Sequence, residues 1–486
     1  MPNESTDRTL VPSYGTFHSA DRQRKIFYWL GKSCYNETKR AGLTFTTITS
    51  IFSSKRIQMK FRFMSLFTVV LFGLLSFVDS RECDAENNVS PKAIVAKTED
   101  KAIRIATFNV SLYRKQLGQL AKDLEQGDKQ AEQLAKIIVR VNADIVLLNE
   151  IDDDGGKSAK LFRDRYLHKA GNDAIARPWT YIYTPTVNTG VDSGLDLDSN
   201  GKTGTPSDCW GYGEYPGQYG MAILSRYPID EGQIRTFQNF LWSQMPEAMR
   251  PRNVDGKYYW NDSTWSKLRL SSKSHADVTI NVDGQLLHLL VSHPTPPVFD
   301  GPEDRNGCRN HDEIRFWKDY VEWPAKDSRI ITAKDSRIDA AKAYHVDDSG
   351  STGGIPRDSC FVIIGDLNAD PIDGSGIHQG IQGLLDSKQV NNQVIPQSEG
   401  AAEAARMQGK LNATHKADPA TDTGDFNDGN PGNLRCDFVV PSANLAIVGS
   451  GVFWPIQEQL AEADKKMIDA TDHRMVWIDV MLPAVK

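Results

Sequence analysis

The sequence predicts an α+β protein built on two β-sheets, and three observations carry that expectation. Strand-like runs stand at both ends of residues 101–486, from "IRIATFNVS" near the start to "MVWIDVML" at the close. Helix-patterned segments separate some of these runs and not others, so neither an all-β chain nor strict βα alternation is implied. No shift in composition divides 101–486, which reads as one domain.

In "IRIATFNVS" the residues Ile103, Ile105, Thr107 and Asn109 share one face, the period of a strand. "DKQAEQLAKIIVRVNAD" places Leu134, Ile137, Ile138 and Val141 at helical spacing behind a plausible N-cap, Asp128. "ADIVLLNEID" is a short buried strand ending in acid. Residues 152–220, rich in Gly, Asp, Ser and aromatics, predict long surface loops. "YGMAILSRYPI" is a strand closed by Pro228. "ADVTINVDGQLLHLLVSH" predicts a hairpin turning at Asp283-Gly284 and ending at His293. "HDEIRFWKDYV" suits a helix, and the hexapeptide "AKDSRI" then occurs twice, at 325 and 333, too short a repeat for a solenoid. "FVIIGDLNADP" is a strand that finishes on Asp366 and Asn368, two polar residues on the face opposite Leu367 before Pro371 blocks further pairing. A polar region runs to about residue 433, and "RCDFVVPS", "LAIVGSGVFWP" and "TDHRMVWIDVML" close the chain.

Upstream, Met59 begins a segment with Lys60 and Arg62, an apolar run from about Phe63 to Val78, and Val78 and Ser80 at the −3 and −1 positions of a cleavage after Ser80. That is the pattern of a secretory signal peptide over 59–80, and the apolar run is shorter than the ~20 residues a spanning helix needs. Residues 1–58 read as a poorly structured extension or a mis-assigned start, and 81–100 as a linker. The expected location is secreted or periplasmic, with no stable membrane span. Residues 1–80 carry 11 Lys/Arg and 5 Asp/Glu, which leaves 45 basic against 58 acidic groups and a net of −13. An overall basic field for gripping nucleic acid is therefore excluded, though a local basic groove is not. Six widely spaced cysteines without a CxxC pair argue against structural zinc. In an oxidising compartment Cys209, Cys308, Cys360 and Cys436 could pair as one or two disulfides.

Several strand-like segments end or begin on a polar residue where apolar alternation would otherwise run on: Asn109, Glu150, His293, the Asp366/Asn368 pair, Asp437, and Asp472-His473. Singly, each reads as a turn or cap residue. Together, "TFN", "NE", "SH", "GDLNADP", "DFVVP" and "TDH" in this order resemble the endonuclease/exonuclease/phosphatase superfamily, which includes DNase I-like nucleases, sphingomyelinases and inositol polyphosphate phosphatases. The resemblance covers about residues 101–484. It implies a four-layer α/β sandwich, two packed mixed β-sheets with helices on the outer faces, and a site at one edge.

The resemblance also implies the chemistry. Phosphodiester cleavage needs a divalent cation, and hard oxygen ligands suit Mg²⁺, with Mn²⁺ or Ca²⁺ as substitutes. Glu150 and Asp472 are the expected metal ligands. Asp366 is assigned to the attacking water, with Asn368 and Asn109 orienting water or phosphate. His473 would meet a non-bridging phosphate oxygen or move a proton, held by Asp437, and His293 is the second histidine. Arg305 and Arg309, with His311, are candidates for phosphate contact in the loop after His293; the alternative is a solvated loop. Two departures from the family pattern stand out. Asp152, Asp153 and Asp154 follow Glu150 where a basic residue is common, and no acid is assigned to support His293, Glu214 being only a guess. The expected function is an exported metal-dependent phosphoesterase attacking phosphodiesters with water, foremost a nuclease on DNA or RNA. The alternatives are a phosphomonoesterase or lipid phosphodiesterase on the same scaffold, and a non-catalytic binding protein.

Overall fold

The computed structural model describes residues 95–97, 99, 101–171, 177–322 and 344–484. The expected leader over 59–80 and both copies of "AKDSRI" lie outside these residues.

The strands are β1 (Ile103–Leu112), β2 (Ile145–Ile151), β3 (Tyr181–Tyr183), β4 (Met221–Ser225), β5 (Arg235–Thr236), β6 (His275–Val282), β7 (Gln285–Ser292), β8 (Cys360–Asp366), β9 (Asp437–Pro441), β10 (Ala446–Val452) and β11 (Val476–Met481). They form a six-stranded sheet in the order β10-β11-β1-β2-β4-β3 and a five-stranded sheet in the order β5-β6-β7-β8-β9. Both sheets are mixed: β1 runs parallel to β2 and β7 parallel to β8, while the other pairs are antiparallel.

The alternation in β1 decides which layer each side chain enters. Ile103 and Ile105 join Ile145, Leu147 and Ile223 against Val278, Leu289, Val291, Val362 and Ile364 of the other sheet, forming the central core. Ala106, Phe108 and Val110 point the other way, onto the helix Lys129–Val141. That helix starts at Asp128, whose carboxylate accepts the Ala131 N–H at 2.8 Å, and it buries Leu134, Ile137, Ile138 and Val141. On the far side the helix Arg305–Glu322 packs Ile314, Trp317 and Tyr320 onto Leu290, Ile363 and Phe438. Helix, sheet, sheet and helix give the expected four layers. Each fully buried Leu, Ile or Phe contributes about 1.5–3 kcal/mol.

β1 is joined to β11 by more than the ladder. Arg104 and Asp479 are cross-strand partners, both fully buried, with Nε and Nη2 donating to the carboxylate at 2.7 and 2.8 Å. The same guanidinium donates to the carbonyls of Val95, Ala96 and Val141, so part of the expected linker is held against this sheet. The hairpin turns at Asp283 and Gly284, whose φ angles of 51° and 94° are those of a type I′ turn.

Three expectations change. Residues 152–220 are not loop throughout: helical turns run over Lys157–Gly171 and β3 follows at the sheet edge, because Phe162, Tyr166, Leu167 and Trp179 bury into the outer core. Cys209, Cys308, Cys360 and Cys436 are free thiols, Cys308 on the core-facing side of the helix Arg305–Glu322 and Cys436 buried just before β9. Asn368 does not share a strand face with Asp366. β8 ends at Asp366, and Asn368 adopts φ 51°, folding its own N–H onto Asp366 Oδ1 at 2.9 Å.

Candidate active site

Because β1 parallels β2, β7 parallels β8, and β9 and β11 run opposite to them, one edge of each sheet gathers strand ends and strand starts. Asn109, Glu150, His293, Asp366, Asp437 and His473 all come from that edge. Asp366 and Asp437 are cross-strand partners in register. Like charges placed directly opposite are destabilising, so this register requires a cation.

His473 supplies it. Its Nδ1 lies 2.9 Å from Asp437 Oδ2 and its Nε2 lies 3.6 Å from Asp366 Oδ2. Burial works to lower the His473 pKa, but Asp437 and then Asp366 overcome it and hold the ring well above its ordinary value, hence protonated. The Thr423 hydroxyl donates to the same Asp437 oxygen at 2.8 Å, which holds that carboxylate, and the His473 backbone N–H donates to the Thr471 hydroxyl oxygen at 3.2 Å, which holds the main chain that carries the ring.

Asp366 is the hub. Asn109 Nδ2 donates to its Oδ2 at 3.0 Å across the two sheets, and the Asp366 backbone N–H donates to Asn149 Oδ1 at 3.4 Å. His293 Nε2 stands 3.4 Å from Asp366 Oδ2 and 4.0 Å from Glu150 Oε1, close electrostatic contacts without a closed hydrogen bond. Burial alone would raise Asp366, yet the His473 charge and the contacts from His293 and Asn109 carry it well below the usual carboxylate range. His293 goes the other way: burial, then Lys273, push it down to about 4, so it is neutral at neutral pH. One cationic and one neutral histidine therefore face the same carboxylate.

Glu150 adopts φ 59°, keeps 23% of its side chain open, and sits where desolvation raises its pKa to about 7. Among the described residues no donor hydrogen-bonds its carboxylate, although charged groups surround it. A recessed carboxylate without a donor is what a divalent cation satisfies, so Glu150 fits a metal ligand. Asp472 is exposed and close enough for its charge to act on Glu150. Asp366, Asp437 and His473 also bring ligand atoms within 4.8 Å of one another, but their hydrogen bonds close on each other. A similar group, Asp196, Asp198 and Asp208, accepts backbone N–H groups from its own loop. Glu150 with Asp472 is the more open pair.

The remaining expected residues fall elsewhere. Asn368 donates Nδ2 to the Pro294 carbonyl at 3.1 Å, bracing the turn after His293. Arg309 is half-buried, with Nε and Nη2 donating to the carbonyls of Leu270, Trp210 and Arg269 at 2.8, 2.6 and 3.0 Å. Its charge is thus a strut between loops, correcting the expectation of a free phosphate contact. Arg305 pairs with Glu303 and stacks 5.5 Å from the Tyr259 ring, which likewise occupies it. Glu214 is exposed, and His293 Nδ1 has no hydrogen-bond partner among the described residues.

The three acids after Glu150 are fasteners. Asp152 accepts from the Arg114 N–H, the Tyr215 hydroxyl and the Tyr219 N–H, while Asp153 and Asp154 accept from Gly155, Gly156 and Ser158. The cation missing on that side is provided by Lys273, just before β6. It is buried, its pKa lowered by burial against the pull of Glu313, Glu150 and Asp366, and its ammonium makes no hydrogen bond among the described residues. Lys273 stands more than a hundred residues from Glu150 in sequence, so only its place in a run of small residues, "SSKSHA", marked it.

Residues 106–473 match the family model described as Endonuclease/Exonuclease/phosphatase family. An endonuclease/exonuclease/phosphatase from Beutenbergia cavernae is 17% identical, with 79% of this chain and 72% of that chain covered at a TM-score of 0.40. Sphingomyelinase C from Streptomyces griseocarneus is 14% identical, with 78% and 99% covered at 0.35. A beta toxin variant from Staphylococcus aureus with bound magnesium ions is 15% identical, with 78% and 99% covered at 0.38. No curated protein matches the chain.

Proposed function

The chain belongs to the endonuclease/exonuclease/phosphatase family, whose members are phosphoester hydrolases, and from that premise we propose that it is an exported, divalent-metal-dependent phosphodiesterase acting on nucleic acid. The observation that carries the reading is the meeting of an ionised Asp366, a cationic His473, a neutral His293 and a donor-free Glu150 within one strand-end cluster.

Glu150 and Asp472 would hold the cation, Mg²⁺ foremost. When bound, it neutralises phosphate charge and acidifies a coordinated water. The chain's own groups supply the rest. Asp366, already held as an anion, accepts a hydrogen bond from the attacking water and takes its proton, while Asn109 keeps the carboxylate aimed. Its depressed pKa makes it a weak base but a well-oriented one. His473 presents a charged N–H toward a non-bridging phosphate oxygen, with Asp437 retaining its proton. Lys273 adds a second positive charge, and His293 is an uncharged N–H donor beside the leaving oxygen. Export rests on the leader pattern over 59–80.

The test is cleavage of plasmid DNA and of bis-(p-nitrophenyl) phosphate, each with Mg²⁺, Mn²⁺ or EDTA. Metal-dependent turnover of both is expected. No turnover of any phosphoester would defeat the enzyme reading, and turnover of the small diester alone would move the substrate away from DNA. A mature N-terminus near Arg81 on exported protein is the matching result for export.

A further inference from the structure

Beside Glu150 the rim of the site is aromatic. Tyr113 follows β1 and is 39% exposed, Tyr212 is 57% exposed, and Tyr219 is half-buried and packs on Tyr113 with ring centroids 4.6 Å apart and planes tilted by 52°. The Ile151 N–H donates to the Gly220 carbonyl at 3.2 Å, which sets Tyr219 beside the end of β2; the charge of Glu150 acts on the Tyr113 and Tyr219 hydroxyls, so these two phenols border the expected metal ligands and Tyr212 extends the rim next to Tyr219.

The platform is pre-set. Tyr219 holds φ 56°, a left-handed conformation that a bulky side chain rarely adopts and that clusters at functional sites. Its N–H donates to Asp152, and Tyr215 fastens the same carboxylate and the Arg114 carbonyl at 2.7 and 2.9 Å. Gly217 and Gly220 bring the loop so close to the end of β2 that an added Cβ would lie 2.1 Å from the Asp153 carbonyl oxygen or 2.8 Å from that of Ile151.

Resting on the nuclease reading above, we propose that Tyr113, Tyr212 and Tyr219 form a stacking subsite for an unpaired base next to the scissile phosphate, which makes single-stranded nucleic acid the preferred substrate. Every base offers a π-face, so such a platform tolerates sequence. Charge selects against the other occupants. Duplex gripping needs cations along both backbones, whereas the chain beyond residue 80 carries a net of −13 and the nearby Arg114 is tied to Asp123 and Asp128. A cationic headgroup would compete with the metal for the same Glu150 and Asp472 carboxylates.

The experiment compares an end-labelled single strand, its duplex, and the same strand with every base replaced by an abasic spacer, all with Mg²⁺. The single strand is expected to exceed the duplex in kcat/KM by about tenfold or more. Tyr113→Ala and Tyr219→Ala are expected to raise its KM by about 5- to 150-fold, the span of one lost base stack. Tyr113→Phe and Tyr219→Phe keep the ring and are expected to keep KM. The abasic strand should bind the wild type as poorly as the intact strand binds the alanine variants. An equal KM penalty on intact and abasic strands, a duplex preference, or preferred hydrolysis of sphingomyelin vesicles would overturn the subsite while leaving phosphodiesterase activity standing. Absence of turnover on every diester would overturn both.

Discussion

Replacing Asp437 by Asn removes one negative charge from the site and almost no volume. The carboxylate faces His473 Nδ1 at 2.9 Å, and both residues are buried. With charge centres about 4 Å apart and an effective dielectric of about 20, that attraction is ~4 kcal/mol, or about three pKa units on the imidazole. Burial already opposes the charge on His473, and of the two carboxylates that offset it Asp437 acts more strongly than Asp366 at 3.6 Å, so the variant is expected to lose the ring's proton at neutral pH. The new amide also offers Nδ2 to a ring nitrogen that now donates, which disfavours the working tautomer. Losing one positioned charged donor is worth about 10²–10³ in kcat. Steady-state hydrolysis of bis-(p-nitrophenyl) phosphate with Mg²⁺, followed from about pH 5 to about pH 9, reads the effect. We expect kcat to fall by about that factor at neutral pH, with KM moving little. The deficit should shrink on the acid side, where solution protons restore what Asp437 no longer holds. A variant within about fivefold of wild type at pH 7, or a deficit flat with pH, would refute the reasoning.

Other outcomes follow from the same structure. Glu150→Gln should raise the Mg²⁺ concentration needed for half-maximal activity by about tenfold or more, read by metal titration after EDTA stripping; an unchanged requirement would place the metal elsewhere. Arg309→Gln should lower the thermal midpoint clearly, because three loop carbonyls lose a charged donor, while the KM for phosphodiester stays within about twofold; a large KM change with unaltered stability would restore Arg309 as a phosphate contact. Asp422 is pushed up to about 8 by burial and then by Asp370, Asp373 and Asp418. Its folded pKa thus exceeds the unfolded value of about 3.9, so its contribution to stability is intact below about pH 4 and declines as pH rises through 8. Asp422→Asn should therefore gain on the wild type progressively between those limits, by a few kcal/mol at most, in denaturant titrations at several pH values; a gap independent of pH would count against it.

The sequence made legible what depends on local period and on chain order. β1, β2, the capped helix Lys129–Val141 and the Asp283-Gly284 hairpin follow from alternation, helical spacing and turn chemistry. The strand-end polar residues were visible because each interrupts an apolar run. What stayed hidden arises from contacts between distant segments. Lys273 and Glu150 are brought together only by the packing of one sheet on the other, and the run of small residues around that lysine is the single local sign that sets it apart from a surface one. Arg309 looked available because its partners, the carbonyls of Trp210, Arg269 and Leu270, carry no side-chain signature. Tyr219 owes its position to a left-handed backbone and to Asp152, neither of which a hydrophobic pattern encodes. The course of residues 211–220 is hidden for the same reason: glycine approaches and hydrogen bonds to Asp152, not a core stripe, fix it.

The pairing of β1 with β11 also bears on how the enzyme comes into being. β1 has two neighbours in its sheet, and one of them is the last strand among the described residues. During synthesis the N-terminal strand waits, one edge open, until some 370 residues later its partner and the Arg104–Asp479 lock arrive. Such sequence-distant pairing makes folding slow and leaves an edge exposed to mispairing in the interval. Asp472 and His473 stand only a few residues before β11, which begins at Val476, so a nascent chain that has not reached residue 472 lacks both the closing strand and the groups that complete the site. Hydrolysis cannot begin before the fold is finished.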